Sequence, residues 1–286
     1  MRDLDQATAV FAESRGRLFG IAYRMLGSAL DAEDLVQEVW VRWQTCDRSV
    51  VLNPAAYLTT AITRLAINAS QCARERYETY VGPWLPEPVD TSADPQLGAE
   101  RTAGLEVAVL LLLEKLSPTE RAAYVLREAF DYPYSLIAQI VRTSEVSARQ
   151  LVSRARKHLQ TKRRTPSSAA DQRRLLTAFV AAAQAGDVAA LEQLFAEDVV
   201  SYADGGGLAR AAREPVYGAR KLATVIHAWG GEFWAVEMSL SLVNGQIGLV
   251  LRRDGEVTGV VSVAASDAGI DQVFWMVNPN KLAAVG

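Results

Sequence analysis

Hydrophobic positions along the chain recur first with helical spacing and later with the spacing of strands. Between Ala7 and Leu26, Val10, Phe11, Leu18, Ile21, Ala22 and Met25 mark one helix face, and Gly27–Ser28 ends it. A second helix starts at Asp31 with acids in its first turn. Leu35, Val36, Val39, Trp40 and Trp43 form its apolar stripe, opposite Asp31, Glu33, Asp34, Gln37, Glu38 and Arg42. A loop over Cys46–Pro54 leads to a helix over Ala55–Glu78, apolar early and basic late, with Arg64, Asn68, Ser70, Gln71, Arg74 and Arg76 on its accessible side. Residues 79–100 are dense in Pro and Gly and predict a connection. Trp84 and Leu85 within it are large apolar side chains that demand a docking surface.

Helical spacing resumes over Leu105–Leu116. Ser117-Pro118-Thr119-Glu120 then supplies an N-cap, a proline at the first helical position and an acid in the first turn, predicting a helix over Arg121–Phe130. Asp131–Tyr134 breaks it. Tyr134–Val141 predicts a short apolar helix, Arg142–Thr143 a turn, and Ser144 the N-cap of a basic helix running to Lys157. Val146, Leu151, Val152 and Ala155 are assigned to the inward face of that helix. Further on, Arg173–Gln184 and Val188–Phe195 read as helices broken at Gly186–Asp187, Val199–Tyr202 as a short strand, and Ala219–Gly230 as a helix. Phe233–Leu242, Gln246–Arg253, Val257–Ala265 and Ile270–Val277 read as strands. Asn244–Gly245, Asp254–Gly255 and Asp267–Gly269 are the turns between them. Helices followed by an antiparallel meander predict an α+β cone. The fold class is therefore multidomain, with two all-α domains, the second carrying a helix-turn-helix, followed by the cone. The boundaries are 1–80, a linker at 81–100, 101–165, and 171–286.

Two short helices joined by a tight turn, the second basic, suit the major groove of DNA. Arg142, Ser144, Ser147, Arg149, Gln150, Ser153, Arg154, Arg156 and Lys157 are the candidate contacts, since guanidinium and amide groups read base edges and cations neutralise phosphates. A solvated basic helix on any all-α domain carries the same pattern. The 286 residues have a formal net charge of −3, so a nucleic-acid surface has to be a local patch. From Arg142 to Arg174 the only acids are Glu145 and Asp171. Cys46 and Cys72, the only cysteines, are too few for a disulfide framework or a zinc site, and no metal or cofactor is expected. The N-terminus lacks a signal-peptide core and Val107–Leu113 is too short to span a bilayer, so a cytoplasmic protein without membrane contact is expected.

Asp31–Trp43, the basic Ala61–Arg76 helix, LSPTERAAYVLREAFDYPYSLIAQIV and SEVSARQLVSRARKHL, in that order, resemble an extracytoplasmic-function sigma factor. The resemblance implies a dissociable subunit of bacterial RNA polymerase that binds promoter DNA. Asp31, Asp34, Gln37, Glu38 and Arg42 would grip the polymerase core. The Cys46–Pro54 loop with Arg64, Asn68, Gln71 and Arg74 would engage the melted −10 element, and Arg142–Lys157 the −35 element. GPWLPEPV at Gly82–Val89 is similar to the linker of a subfamily with a fused C-terminal SnoaL-like domain. Its motifs Asp-Gly-Gly-Gly-Lys and Asn-Pro-Asp-Lys-Leu stand here as Asp204–Leu208 and Asn278–Leu282, with Leu208 replacing a Lys and Asn280 an Asp. These replacements predict a looser hold of the domain if those charges anchor it.

No catalytic set is evident in the cone. Asp204, Tyr202, Tyr217, His227 and Asp271 qualify by residue type alone, and His227 reads as a packed core histidine. The chain is not expected to be an enzyme. The glycine loop reads as a tight turn admitting close approach of another segment. The leading expectation is regulation in cis, with Asp204, Gly205, Gly206, Gly207, Asn278, Pro279 and Lys281 contacting Trp84, Leu85, Pro86 and Glu87. The alternatives are a helix-turn-helix repressor that needs no polymerase, and a ligand-sensing or enzymatic cone. In the last, Trp229, Phe233, Trp234, Phe274, Trp275 and Met276 would line a pocket for a small hydrophobic molecule.

Overall fold

The computed structural model describes the backbone of residues 2–92, 105–160, 164–229 and 234–285, and the side chains of those residues apart from 2–6, 72–78 and 160. Helices α1 (Arg2–Leu26), α2 (Ala29–Thr45), α3 (Pro54–Glu78), α4 (Val107–Leu113), α5 (Pro118–Glu128), α6 (Tyr134–Val141) and α7 (Glu145–Gln160) come first. Helices α8 (Ala169–Ala185) and α9 (Val188–Leu194), strands β1 (Phe195–Asp204) and β2 (Val216–Tyr217), and helix α10 (Ala219–Ala228) follow. Strands β3 (Glu237–Val243), β4 (Gln246–Arg253), β5 (Glu256–Ser266) and β6 (Gly269–Met276) close the chain's regular structure. The chain forms two compact units. One is built on α1–α3 and α5–α7. The other is built on the chain from Arg164 onward, and residues 79–92 belong to it rather than to the helices that precede them.

In the helical unit, Leu18, Ile21, Ala22 and Met25 of α1 are buried with Val36, Val39 and Trp43 of α2 and Leu58, Ile62 and Ala66 of α3. The Trp43 indole N–H donates to the Ala7 carbonyl at 3.0 Å. Helix α5 starts in a full capping box, Ser117 with Glu120. Its Arg121 is buried and makes two hydrogen bonds to Glu114, at 2.7 and 3.0 Å, as well as one to the Met25 carbonyl. A buried cation of this kind is tolerated because it is paired with a carboxylate and hydrogen-bonded to a carbonyl, although its Nε has no acceptor among the described residues. Arg142 ends α6 in the left-handed conformation at φ 56°, and Ser144 Oγ accepts from the Ser147 amide to start α7. The inward face of α7 is Ala148, Val152, Ala155 and Leu159. This corrects the expectation for Val146, which is 66% exposed. It precedes Ala148 by two residues, about 200° around the helix, and so points away from the buried stripe.

The second unit is a six-stranded sheet in the order β2-β1-β6-β5-β4-β3, with helices α8, α9 and α10 before and between its strands. From β3 to β6 it is the expected antiparallel meander. Asn244–Gly245 and Asp254–Gly255 turn with positive φ at both residues, as a two-residue hairpin requires. The sheet is mixed, not purely antiparallel, because β1 pairs in parallel with β6. One face of the sheet, with the helices, buries a core in which Phe179 meets Trp275 at 5.9 Å and Trp234 at 6.1 Å between ring centroids.

Candidate nucleic-acid surface and a buried linker site

Within the helical unit, α7 turns Arg142, Ser144, Arg149, Gln150, Ser153, Arg154, Arg156 and Lys157 to solvent, with Ser147 half-buried at its start. Several of its cations are already paired. Arg149 contacts Glu145 at 2.5 Å and lies over the Tyr134 ring, Arg154 contacts Glu120 at 3.2 Å, and Arg156 contacts Glu128 at 2.6 Å. Exposed pairs of this sort are worth about 0–1 kcal/mol. A phosphate can therefore take over these arginines cheaply, while the pairs hold the side chains in place beforehand.

On α2, Asp34, Gln37, Glu38 and Arg42 are exposed along one side together with Val41, and Asp31 is half-buried at the start. Positions 34, 37, 38 and 41 are neighbours on a helix surface, so they form one mixed polar and apolar strip. On α3, Asn68 and Gln71 are exposed; Ser70, expected to be accessible, is buried with its hydroxyl donating to the Ala66 carbonyl at 2.7 Å, and the Arg74 and Arg76 side chains lie outside the described residues. Arg64 is engaged: its guanidinium donates to the Ile140 and Gln139 carbonyls, both at 3.0 Å, at the C-terminal end of α6 where carbonyls lack helical partners. Beside it, Thr59 and Tyr132 share a hydrogen bond of 2.9 Å. The Cys46–Pro54 loop borders a cavity of about 490 Å³ lined by Trp43, Cys46, Asp47, Arg48, Ser49 and Pro54, among others. Leu52 at the tip of this loop is fully exposed.

In the second unit, residues 80–91 run along the C-terminal domain as an integral strip. The centre of the contact is Asp204, which is 0% exposed at the end of β1. Its Oδ1 accepts from the Tyr80 hydroxyl at 2.6 Å, and its Oδ2 accepts from the Leu85 amide at 2.9 Å and the Lys281 ammonium at 2.8 Å. Lys281 also donates to the Leu85 carbonyl at 2.7 Å and lies over the rings of Trp84 and Tyr80, 4.4 and 4.8 Å from their centroids. Asn278 donates to the Tyr80 hydroxyl at 2.7 Å. Burial, and next the hydrogen bond to Asp204, raise the Tyr80 phenol well above its ordinary value. Burial lowers the Lys281 pKa, although Asp204 opposes the shift. Glycine is required at 206 because a Cβ there would meet Asn278 at 2.2 Å and the Tyr80 hydroxyl at 3.1 Å, on a backbone with φ 57°.

Leu85 and Pro86 are buried, and Trp84 and Glu87 half-buried. Farther along, the Val89 amide donates to Asn244 Oδ1 at 3.1 Å, the Asn244 amide to the Val89 carbonyl at 2.9 Å, and the Thr91 amide to the Leu242 carbonyl at 2.9 Å. The strip thus extends the free edge of β3. Gly205 is buried beside Asp204, while Gly207 and Pro279 are exposed. The two departures from the subfamily motifs, Leu208 and Asn280, are both exposed, and the buried network of Asp204, Asn278 and Lys281 is complete without them. The looser hold expected from those replacements therefore has no counterpart in the buried contacts.

The residues expected to line a hydrophobic pocket divide between the two faces of the sheet, and Trp229 and Trp234 both pack on Trp275 at the core. Trp234 and Trp275 are buried in the core, whereas Phe274 stacks on Tyr202 at 5.8 Å. Strand alternation puts Phe274 and Met276 on the face of β6 opposite Trp275. Trp229 packs edge-on against Trp275 at 4.8 Å, and Phe233 lies outside the described residues. His227 is exposed, contrary to the core reading: Ile226 takes the buried position, and the His227 ring caps the Gly186 carbonyl at 3.1 Å.

Comparison with known proteins decides the family. Residues 10–76 match Sigma-70 region 2, and residues 106–159 match Sigma-70, region 4. The chain is 33% identical over 287 residues to the ECF RNA polymerase sigma factor SigJ of Mycobacterium tuberculosis, covering 95% of this chain and 91% of that protein. It belongs to the extracytoplasmic-function RNA polymerase sigma factors. A second relative, the probable ECF RNA polymerase sigma factor SigI of M. tuberculosis, is 27% identical over 99% of this chain and 97% of its own length. The crystal structure of M. tuberculosis SigJ aligns with 96% of this chain and 97% of that one, at a TM-score of 0.78 and 32% identity.

The sigma factor's site also contains residues that sequence reasoning missed. Tyr80 was passed over as part of a proline-rich connection, and Asn244 as a turn residue, yet each ties residues 80–91 to the C-terminal domain. The available signal for Tyr80 was a large side chain with a hydroxyl, four residues before Trp84, which demands an apolar surface and a polar partner together. Among the described residues, no helix is long and apolar enough to cross a membrane.

Proposed function

We propose that this sigma factor directs the polymerase core to its promoters through three surfaces, and that its C-terminal domain regulates it in cis by holding the linker. The exposed strip of α2, with Asp34, Gln37, Glu38 and Arg42, takes the polymerase core. The Cys46–Pro54 loop, with its cavity and the Asn68 and Gln71 side of α3, takes the opened −10 strand, where cationic and polar groups follow a single-stranded backbone. Helix α7 takes the −35 element in the major groove. Family membership supports transcription initiation over catalysis in the C-terminal domain.

One observation carries the regulatory part: the fully buried carboxylate of Asp204 is shared between two linker groups, Tyr80 and Leu85, and one C-terminal cation, Lys281. Releasing the linker would take two of that carboxylate's three hydrogen-bond donors away and leave it with Lys281 alone, which disfavours undocking. Because the linker joins the two promoter-reading regions along the chain, holding it limits their reach. About 3 kcal/mol of docking free energy shifts such an equilibrium roughly a hundredfold. Run-off transcription with purified bacterial core polymerase tests the reading, comparing the full chain with Trp84→Ala and with a chain ending at Thr165. Promoter-specific transcripts whose yield changes severalfold in both variants are expected. Identical yields from all three proteins would remove the regulatory role.

A further inference from the structure

Beside the Asp204 network, a separate cavity of about 240 Å³ opens between the linker at Val81–Gly82 and the loop that follows β1. Its lining is small and donor-rich. Ala203, Gly205, Gly207, Ala209, Ala211 and Ala212 form the walls, and the charged side chains on it are Arg210 and Arg213. Both arginines are exposed, and neither has a hydrogen-bond or ion-pair partner among the described residues. Some exposed arginines of the same unit are paired, Arg164 with Asp198 and Asp271 and Arg174 with Asp171, but Arg210 and Arg213 are not. The loop is folded tightly on itself, since the Leu208 and Ala209 amides both donate to the Gly205 carbonyl. The amides of Gly207 and of residues 210–213 have no acceptor among the described residues. Asp204 is committed to Tyr80, Leu85 and Lys281, and Glu214, which follows Arg213, is exposed and is not among the residues lining the cavity.

We infer that this cavity binds a small oxyanion, the phosphate or carboxylate group of a metabolite. Two unpaired guanidinium side chains on the lining of one small cavity, beside a loop whose amides lack acceptors, form the kind of donor-rich arrangement that recognises such groups. The volume is below the 300–1,000 Å³ usual for drug-sized ligands, so it fits an oxyanion with a small attached fragment and excludes a dinucleotide. Val81 and Gly82 supply one wall, with Val81 3.4 Å from where a Cβ of Gly207 would stand. The anion therefore favours the docked linker, by linkage between two events that share a wall. That consequence rests on the linker-docking reading above; the site itself does not.

Calorimetric titration of the full-length protein with inorganic phosphate, and separately with citrate, at constant ionic strength tests the site. Wild-type protein should bind at least one probe at millimolar concentration or tighter, and binding should weaken roughly tenfold for each of Arg210→Gln and Arg213→Gln. Both positions are exposed, so thermal unfolding should match the wild type. No binding of either probe, or binding indifferent to both substitutions, overturns the proposal. So does a double variant that loses promoter-DNA affinity while keeping the probe, because the arginines would then be a DNA contact. None of these readouts uses transcription, so this site and the regulatory role can fail independently.

Discussion

At Asp204 a single carboxylate accepts from groups on both sides of the linker contact. Asp204→Ala would leave Lys281 charged, 9% exposed and without its counter-ion. Removing one partner from a buried pair costs about 3–5 kcal/mol. Urea unfolding followed by tryptophan fluorescence should register that loss, whereas Asn280→Asp, at an exposed site, should be near neutral. Tyr80 offers a test by titration. Its raised phenol keeps its proton when an unfolded tyrosine, near 10, has lost it. The folded state then binds more protons than the unfolded one above pH 10, so Tyr80's contribution is fully present below pH 10 and is lost as pH rises through the folded value. Burial raises Tyr57 and Tyr202 as well, so phenolate absorbance should show several late tyrosines, and Tyr80→Phe should remove the latest step. Asp204, Asn278 and Lys281 were legible in the sequence because they stand in recognisable motifs. Tyr80 was not, because a tyrosine in a proline-rich segment reveals its partner only when a residue more than a hundred positions away is brought to it.

At the level of elements, local signals read correctly and distant pairings did not. Capping at Ser117 and Ser144 and the Asn-Gly and Asp-Gly hairpins depend on neighbours within a few residues, and the structure forms them as the sequence indicates. The parallel pairing of β1 with β6 joins residues about seventy positions apart, and periodicity carries no information on such a partner. Helix α7 was placed correctly but its inward face was shifted, because Ala148 is small and Val146 is the more apolar of the two. The exposed face of α7 leads to a prediction about DNA. Lys157→Ala should weaken binding to all sequences alike and lower the salt dependence of binding by about one ion, whereas Gln150→Ala should relax preference at one base pair. Filter binding at several salt concentrations, on a matched and a mismatched −35 site, separates the two.

For the molecule as a whole, the boundary between linker and C-terminal domain is the point at which sequence and structure part. Composition marks residues 79–92 as a connection, and by composition they are one: proline and glycine keep them out of helix. Tertiary contacts nonetheless make them part of the second unit, with Leu85 at 1% exposure and Val89 and Thr91 bonded along the edge of β3. Backbone groups in an irregular segment need partners, and here Asp204, Asn244, Leu242 and Lys281 supply them. A connection held in this way is part of the fold of the second unit and not a free tether. Amide hydrogen exchange on the full-length sigma factor tests that claim most directly. The account predicts that the amides of Leu85, Val89 and Thr91 are protected nearly as well as those of β5, and that in Asp204→Ala they exchange orders of magnitude faster while β5 stays protected. Exchange of the three linker amides at the rate of an unstructured chain in the wild-type protein would contradict it.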